Sequence, residues 1–272
     1  MVLACATREE ARRPVLMIAV GRQRVGKTVF LNTSIQFFRR HGAKVEIWNA
    51  DTLNASHSLS LFYDDVREPG SARPEDVKTW IEGRLMDMVV ERYDAILDAG
   101  GGETPLSRLV DELPVVSTLE DEGIRVVLAH LLGPETADLD YLASFLKGSR
   151  FAPKATMLVL NEGLILSQRS PEAAFAEIKR HPAFLNAVEN GAVVARFPRL
   201  PCMADVTDRG LTFEDAMNGV AKDDRPPLSL FNKPRVRRWW TEDVPKLFLE
   251  EVPLAWLPDM PGLGEDLARE TA

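Results

Sequence analysis

Residues 14–28 read PVLMIAVGRQRVGKT, and this stretch decides the fold. The apolar run 14–20, closed by Gly21, is typical of a strand buried on both faces of a parallel sheet. The next eight residues match the P-loop pattern G-x-x-x-x-G-K-[ST], and the apolar spacing beyond them predicts a helix at Lys27–Arg40. Strand, glycine-rich loop and helix in this order are the context in which the pattern binds phosphate.

The loop residues have distinct roles in holding a polyphosphate. Glycine lets backbone N–H groups turn toward phosphate oxygens, and the helix N-terminus adds the positive end of its dipole. We expect Lys27 to reach the β- and γ-phosphates and the Thr28 hydroxyl to bind Mg²⁺. The sequence thus favours ATP with Mg²⁺ over a turn without ligand. The predicted nucleotide contacts within the loop and first turn are Gly21, Arg22, Gln23, Arg24, Val25, Gly26, Lys27, Thr28 and Val29.

Strand and helix patterns alternate along the following residues. Further strands are predicted at 44–48, 95–98, 125–131, 155–160 and 192–197. Further helices are predicted at 75–93, 104–112, 137–147, 171–180 and 183–190, with 51–74 an irregular polar connection. The alternation indicates an α/β fold with a doubly wound, mainly parallel sheet and helices on both faces. We assign 1–222 to this nucleotide-binding domain and 223–272, rich in Pro, Trp and charge, to a C-terminal appendage packed on the domain or on a partner subunit.

Composition and charge limit the classes of function. The 272-residue chain has a net charge of −8, which argues against a protein wrapped directly on DNA. Its two cysteines, Cys5 and Cys202, form neither a metal motif nor a disulfide framework, and the four histidines show no ligand spacing. No apolar run approaches the roughly 18 residues that cross a bilayer, and the first residues do not resemble a signal peptide. These features predict a cytoplasmic protein.

Two aspartates follow predicted strands. Asp51 comes just after the second strand and Asp98 ends the third, so both should lie at the carboxyl edge of the sheet, where open α/β folds bind ligands. One carboxylate could hold Mg²⁺ and the other could position the water that attacks the γ-phosphate; a helix cap or a turn is the structural alternative for each. Residues 100–102, all glycine, could form a loop that senses the γ-phosphate, or only a tight turn.

The order of P-loop, Asp51 and Asp98 resembles the ParA/MinD family of deviant Walker-A ATPases. Lys27 and Thr28 match the phosphate lysine and the magnesium threonine of the family pattern K-G-G-x-G-K-[ST]. Arg22 stands where the family has its signature lysine, which reaches across a dimer interface to the partner's nucleotide.

Other segments resemble the family less closely. Arg24 replaces a P-loop glycine, and AILDAGGGET resembles the family's Walker-B segment with Asp98 as its acidic residue. NADTLN resembles its D-x-D-P-x-N stretch, with Asn49 replacing the first aspartate. Asn161, after a strand, resembles the family's adenine-contacting asparagine, and Pro198 lies in RFPRLP, which resembles the loop that flanks the base. The guanine-specific N-K-x-D pattern is missing at Asn161.

The resemblance implies an ATP-dependent homodimerisation switch with slow hydrolysis, in plasmid partition or conjugative DNA transfer. A DNA-bound adaptor, or a secretion or partition protein, would be its partner. The implied catalytic residues are Lys27, Asp51 and Arg22, and the implied Mg²⁺ ligands are Thr28, Asp98 and Asp51. Asn161 and Pro198 complete the nucleotide contacts.

Two other functions fit the residues. A small-molecule kinase would need an acceptor pocket near Asp51 and Gly100, which the 51–74 segment is long enough to line. A scaffold that binds nucleotide without hydrolysis fits the changes at Asn49 and Arg22. The cluster at 235–240, RVRRWW, could bind nucleic acid or anionic lipid, but its flanking acidic residues favour a helix start whose tryptophans pack on the domain.

Overall fold

A computed structural model describes residues 12–51, 58–100, 104–147, 152–166, 168–222 and 225–263. Six strands lie within these ranges: β1 (Val15–Val20), β2 (Val45–Asn49), β3 (Asp94–Asp98), β4 (Arg125–Leu132), β5 (Ala155–Asn161) and β6 (Val193–Phe197). They form one sheet in the order β2-β3-β1-β4-β5-β6, and every neighbouring pair is parallel. The predicted α/β fold class is confirmed.

Helices cover both faces of this sheet. They are α1 (Lys27–Arg40), α2 (Pro74–Glu91), α3 (Pro105–Glu112), α4 (Val115–Asp121), α5 (Ala137–Lys147), α6 (Pro171–Ala174), α7 (Ala176–Arg180), α8 (Pro182–Glu189), α9 (Met203–Thr207), α10 (Phe213–Asn218), α11 (Asn232–Arg238) and α12 (Val244–Lys246). Three-residue 3₁₀ helices lie at Leu59–Leu61, Glu162–Leu164 and Leu254–Trp256. Among the described helices none is long and apolar enough to cross a membrane.

The alternation of side chains along β1 explains why the sheet needs two helical layers. Val15, Met17 and Ala19 belong to a core cluster that includes α1 residues and the C-terminal aromatic side chains. Leu16 and Ile18 belong to a second cluster with residues of α2, α3 and α4. Successive side chains of a strand point to opposite faces, so both sets must be apolar when both faces are covered.

Two predicted elements are wrong in detail. The helix predicted at 171–180 is two short helices, α6 and α7, because the backbone of Phe175 leaves helical geometry (φ −98°, ψ 9°) while its ring is buried in the core. The connection predicted over 51–74 is not wholly irregular, since it contains the 3₁₀ helix at Leu59–Leu61. Arg67 also forms a parallel bridge with Trp48 of β2.

The described C-terminal residues run along α1. The stretch 232–251 is one continuous helical run, in which π-helical turns at Trp239–Asp243 and Leu247–Glu251 flank α12. Trp239 and Trp240 are 2% and 1% exposed. Both indoles pack on Phe213, with ring centroids 4.8 and 5.1 Å from it, so neither ring is available to stack on a nucleic-acid base. The division of the chain at residue 222 stays a prediction.

A histidine on β4 makes the stability of the fold sensitive to acid. His130 is fully buried, and desolvation lowers the pKa of its imidazole from the ordinary 6.5 to about 3. At pH values between these two pKa values, the imidazole is protonated in the unfolded chain and neutral in the folded chain. The free energy of unfolding therefore falls as the pH falls. We expect His130 to account for a loss on the order of 2–3 kcal/mol between pH 7 and 4.5.

Urea unfolding of the wild type and of His130→Leu across this pH range tests the expectation. Carboxylates contribute equally to both proteins, so the difference between the two curves isolates the imidazole. The wild-type curve should fall more steeply below pH 6.5. Parallel curves would show that burial of this imidazole does not control the acid sensitivity.

Candidate functional site

The P-loop joins β1 to α1 and lies tightly against neighbouring strands. Gly21 and Gly26 have φ of +146° and +94°, values that side chains rarely tolerate. A Cβ at Gly21 would lie 2.8 Å from the carbonyl oxygen of Leu131 on β4. A Cβ at Gly26 would lie 2.5 Å from Nδ2 of Asn161 on β5. The loop conformation therefore requires glycine at both ends.

The N-terminus of α1 faces this loop without a side-chain cap. No side chain accepts a hydrogen bond there, and the first turn of this fully described helix carries no acidic residue. The first N–H groups of a helix have no intrahelical acceptor, and they carry the positive end of the dipole. An anion is the natural partner for this end of the helix.

Lys27 places its ammonium group inside the loop. Its Nζ donates to the carbonyl oxygens of Gly21 at 3.1 Å and Arg22 at 2.9 Å. Burial lowers the pKa of Lys27, and the charges of Asp98, then Asp51 and Asp138, act in the opposite direction. The buried ammonium therefore lies among carboxylates without a direct ion pair to any of them among the described residues, and phosphate oxygens could replace its carbonyl acceptors.

Thr28 and Asp98 form the strongest candidate for a Mg²⁺ site. Thr28 Oγ1 donates to Asp98 Oδ2 at 2.8 Å, and the N–H of Gly100 donates to Oδ1 at 3.2 Å. Asp98 is 2% exposed, and burial, together with the charge of Asp51, raises the pKa of its carboxyl. A hydroxyl and a carboxylate at this spacing offer the oxygen ligands that Mg²⁺ prefers.

The described residues supply only part of a Mg²⁺ coordination shell. In the ranges that the structure describes, no group of three His, Cys, Asp or Glu side chains could hold a metal ion. Mg²⁺ is commonly bound by one or two carboxylates and completed by water and substrate phosphates. Thr28 and Asp98 fit this mode of binding, in which the metal arrives with a nucleotide.

Asp51 lies at the same edge of the sheet. Its carboxylate approaches the end of β3 so closely that a Cβ at Gly100 would lie 3.1 Å from its Cγ. The structure thus brings together Lys27, Thr28, Asp98 and Asp51, as the sequence predicts. Residues 52–54 of the NADTLN segment, and 101–102 of the predicted sensing loop, lie outside the described residues.

Asn49, which stands in place of the first aspartate of the D-x-D-P-x-N stretch, has a structural role that the sequence does not reveal. Its Nδ2 donates to Ser58 Oγ at 2.9 Å and to Glu68 Oε1 at 2.7 Å, while its Oδ1 accepts from the N–H of Asp51 at 3.2 Å. An aspartate here could not donate to a carboxylate. Asn49 therefore fixes the start of the Asp51 segment and links it to residues 58–68.

The two loop arginines differ in their surroundings. Arg22 NH1 lies 3.2 Å from both Glu135 and Asp138, and Asp138 also accepts from the N–H of Gly133 at 2.7 Å. The sequence did not predict the pair between Arg22 and Asp138, because an aspartate in the first turn of a helix is already explained by its favourable interaction with the helix dipole. Arg24 is exposed, has φ +64° and makes no ion pair among the described residues. This left-handed backbone costs roughly 1 kcal/mol for a residue with a Cβ.

The two predicted base contacts are both engaged within the protein. Asn161 is buried; its Nδ2 donates to the carbonyl oxygen of Val25 at 2.8 Å, and its Oδ1 accepts from the N–H of Gly163 at 3.0 Å. Pro198 accepts from Nε1 of Trp239 at 2.9 Å. Asn161 thus supports the P-loop directly, and contact of either residue with a base stays a prediction.

These features define the chain as an α/β protein with a P-loop fold. No family model matches the sequence, and none of the curated proteins matches it. Solved structures of similar fold include the signal recognition particle receptor FtsY from Elizabethkingia anophelis in complex with GDP, at 17% identity and a TM-score of 0.46, over 70% of this chain and 59% of that one. Chloroplast FtsY from Physcomitrella patens is 18% identical, with a TM-score of 0.44, over 82% and 65% of the two chains.

A third similar structure is the signal recognition particle 54 kDa protein from Aeropyrum pernix in complex with GDP. It is 15% identical, with a TM-score of 0.44, over 85% of this chain and 58% of that one. The chain spans 58–65% of the length of these three structures. The likeness concerns the fold alone.

Proposed function

We propose that this protein is a nucleotide-dependent switch that binds ATP with Mg²⁺ and hydrolyses it slowly. The observation that carries the proposal is the meeting of Lys27, Thr28, Asp98 and Asp51 at the N-terminus of α1. A cation, a hydroxyl, a buried carboxylate and a second carboxylate are the groups that phosphoryl transfer from a nucleoside triphosphate requires.

Each of these groups would have a distinct task. Lys27 would exchange its loop carbonyls for the β- and γ-phosphate oxygens, and Thr28 and Asp98 would hold Mg²⁺. Asp51 would position the attacking water, since it lies beside Gly100 at the edge of the sheet. The adenine preference rests on the sequence at the end of β5, Asn161 to Leu164, which lacks the aspartate of the guanine-specific pattern.

Dimerisation would make the switch sensitive to the nucleotide state. Arg22 and Arg24 lie on the outer side of the P-loop, where a second copy could approach. Arg22 would leave its pairs with Glu135 and with the buried Asp138 to reach the partner's nucleotide; of the two, the pair with Glu135 is exposed and therefore weak. By its resemblance to ParA/MinD proteins, the switch would act in the cytoplasm, in plasmid partition or conjugative transfer, with a DNA-bound adaptor or a secretion or partition protein.

A cavity beside Asp51 favours a small-molecule kinase as the second candidate. It has a volume of about 300 Å³ and is lined by Asn49, Asp51, Ser58 and residues 68–72. Polar walls next to a carboxylate suit an acceptor hydroxyl, whose proton Asp51 could accept. A kinase would transfer phosphate to a metabolite, whereas a switch would release it to water.

The molecular mass in solution with Mg²⁺-ATP, with Mg²⁺-ADP and without nucleotide tests the switch. We expect a dimer with ATP only, which decays as ATP is consumed. Asp51→Asn should slow hydrolysis about 100-fold, the lower end of the contribution of a positioned proton acceptor, and so prolong the dimer. Asp64→Asn, an exposed aspartate of the neighbouring segment, should behave as the wild type.

Other outcomes would separate the alternatives. A monomer in all three conditions, despite ATP binding, would contradict the switch. Rapid phosphorylation of a metabolite by such a monomer would establish the kinase. ATP binding without any turnover would indicate a nucleotide-binding scaffold.

A further inference from the structure

A cavity on the side of α1 shares Thr28 with the candidate Mg²⁺ site. It has a volume of about 320 Å³, within the range of small-molecule sites. Its walls are Thr28, Val29, Asn32, Leu61, Phe62, Thr207 and Asp208. Thr28 and Asn32 are four residues apart and lie on the same face of the helix, about 6 Å apart along its axis. The cavity therefore begins at the turn that would hold the phosphates and extends away from it.

One buried polar group in this cavity wall lacks a hydrogen-bond partner. Asn32 is 1% exposed, and its Oδ1 accepts from Tyr63 OH at 2.7 Å and from Gln36 Nε2 at 3.0 Å. These two donors fix the orientation of the amide, and Nδ2 has no acceptor among the described residues. A buried donor is costly to leave unpaired, so this position suits a ligand that presents an acceptor.

The remaining walls match the chemistry of a nucleoside. Phe62 is half-buried and offers an aromatic face on which a base can stack. Asp208 is exposed and offers a carboxylate that can accept from a ribose hydroxyl or an exocyclic amino group. Asn32 Nδ2 supplies the complementary donor to a ring nitrogen or ribose oxygen. Val29 and Leu61 add apolar surface.

Asn161 and Pro198, the residues predicted to contact the base, already form hydrogen bonds with other parts of the protein. Both groups of the Asn161 amide are engaged with the P-loop and with Gly163, and the carbonyl of Pro198 is engaged with Trp239. The cavity on α1, in contrast, shares Thr28 with the phosphate site. A nucleoside is joined directly to the α-phosphate, so it must lie in space continuous with that site.

We propose that the base and ribose of the bound nucleotide occupy this cavity, with Asn32 donating to the nucleoside and Phe62 stacking on the base. The inference rests on the proposed nucleotide binding. It assigns recognition of the nucleoside to the first turns of α1 and to the segments 61–62 and 207–208.

Calorimetric titration with Mg²⁺-ATP and with Mg²⁺-tripolyphosphate, which lacks the nucleoside, tests the assignment. We expect the wild type to bind ATP at least tenfold more tightly than tripolyphosphate. Phe62→Ala and Asn32→Leu should each weaken ATP binding about tenfold and leave tripolyphosphate binding unchanged, which also shows that the P-loop remains folded. Phe231→Ala, which removes a ring that is 73% exposed and far along the chain, is the matched control.

Three results would overturn the assignment. Wild-type ATP affinity in both variants would place the nucleoside elsewhere and leave the proposed function standing. Equal affinity of the wild type for ATP and tripolyphosphate would show that the nucleoside makes no favourable contact, although the phosphate site exists. Binding of neither ligand would refute the proposed function together with this inference.

Discussion

Lys27→Ala should abolish detectable ATP binding, with a loss of affinity of at least about 100-fold. The ammonium is buried in the loop, and its present acceptors are two backbone carbonyls rather than a carboxylate. It is therefore available to phosphate oxygens, and removing a buried charged partner at a binding site commonly costs 2–5 kcal/mol. Calorimetric titration with Mg²⁺-ATP measures the effect directly.

Lys44→Ala is the control for this variant. Lys44 is exposed and lies just before β2, at the far end of α1 from the P-loop. The Lys44→Ala variant should therefore bind ATP as the wild type does. The thermal transition of Lys27→Ala should be measured alongside, because the variant loses the two hydrogen bonds from Lys27 Nζ to the carbonyl oxygens of Gly21 and Arg22, and a retained transition shows that the loss of binding is not a loss of folding. An ATP affinity within threefold of the wild type in Lys27→Ala would disprove the assignment of the P-loop.

Trp239→Ala should lower the free energy of unfolding by about 3–5 kcal/mol, the usual cost of truncating a large buried aromatic side chain. The indole packs 4.8 Å from the ring of Phe213 and 6.2 Å from that of Phe197, and its Nε1 donates to Pro198. Removal would leave a cavity between α10, β6 and the C-terminal helical run. Urea unfolding at pH 7 gives the free energy.

Phe231→Ala is the control for Trp239→Ala, because it removes an exposed aromatic ring from the same C-terminal segment. Phe231 lies eight positions before Trp239 but is exposed, so its removal should change the free energy of unfolding by less than about 0.5 kcal/mol. A loss in Trp239→Ala as small as that in Phe231→Ala would mean that the C-terminal run contributes little to the main core. Two separate unfolding transitions in the wild type would instead support the predicted division at residue 222.

The sequence predicts the sheet well because the physical signal is local. All six strands lie within one residue of their predicted ends, since a strand buried on both faces is a short apolar run with sharp polar limits. The break at Phe175 was not predictable in this way, because the apolar spacing of 171–180 continues across it. Helix α4 was missed because seven residues carry too little periodicity to separate helix from loop.

The candidate site was predictable to the extent that it follows from one motif and the ends of two strands. Lys27, Thr28, Asp98 and Asp51 meet because parallel strands end at one edge of the sheet. Two other contacts join residues that are far apart along the chain: the hydrogen bond from Asn49 to Glu68 and the ion pair between Arg22 and Asp138. Periodicity and spacing carry no information on such contacts.

Asn32 shows the same limit within a helix. Four neighbouring polar residues of α1, Asn32, Thr33, Ser34 and Gln36, are buried, and the sequence alone does not show this. Asn32 accepts a hydrogen bond from Tyr63 and Gln36 accepts one from the backbone N–H of Phe213, so distant segments cover these two side chains. The burial of the polar pair Asn32 and Gln36, which share a face of α1, therefore becomes apparent only once the tertiary structure is known.

The packing of the C-terminal helical run on α1 also determines when α1 can complete its folding during synthesis on the ribosome. Phe37 stacks on Phe248 with ring centroids 4.7 Å apart, and Phe38 lies 5.1 Å from the same ring. The ribosome makes α1 early, whereas its cover is synthesised some two hundred residues later. Nascent chains that end before the helical run 232–251 should therefore expose these phenylalanines and attract chaperones. Full burial of the P-loop helix would come only with the last helical turns.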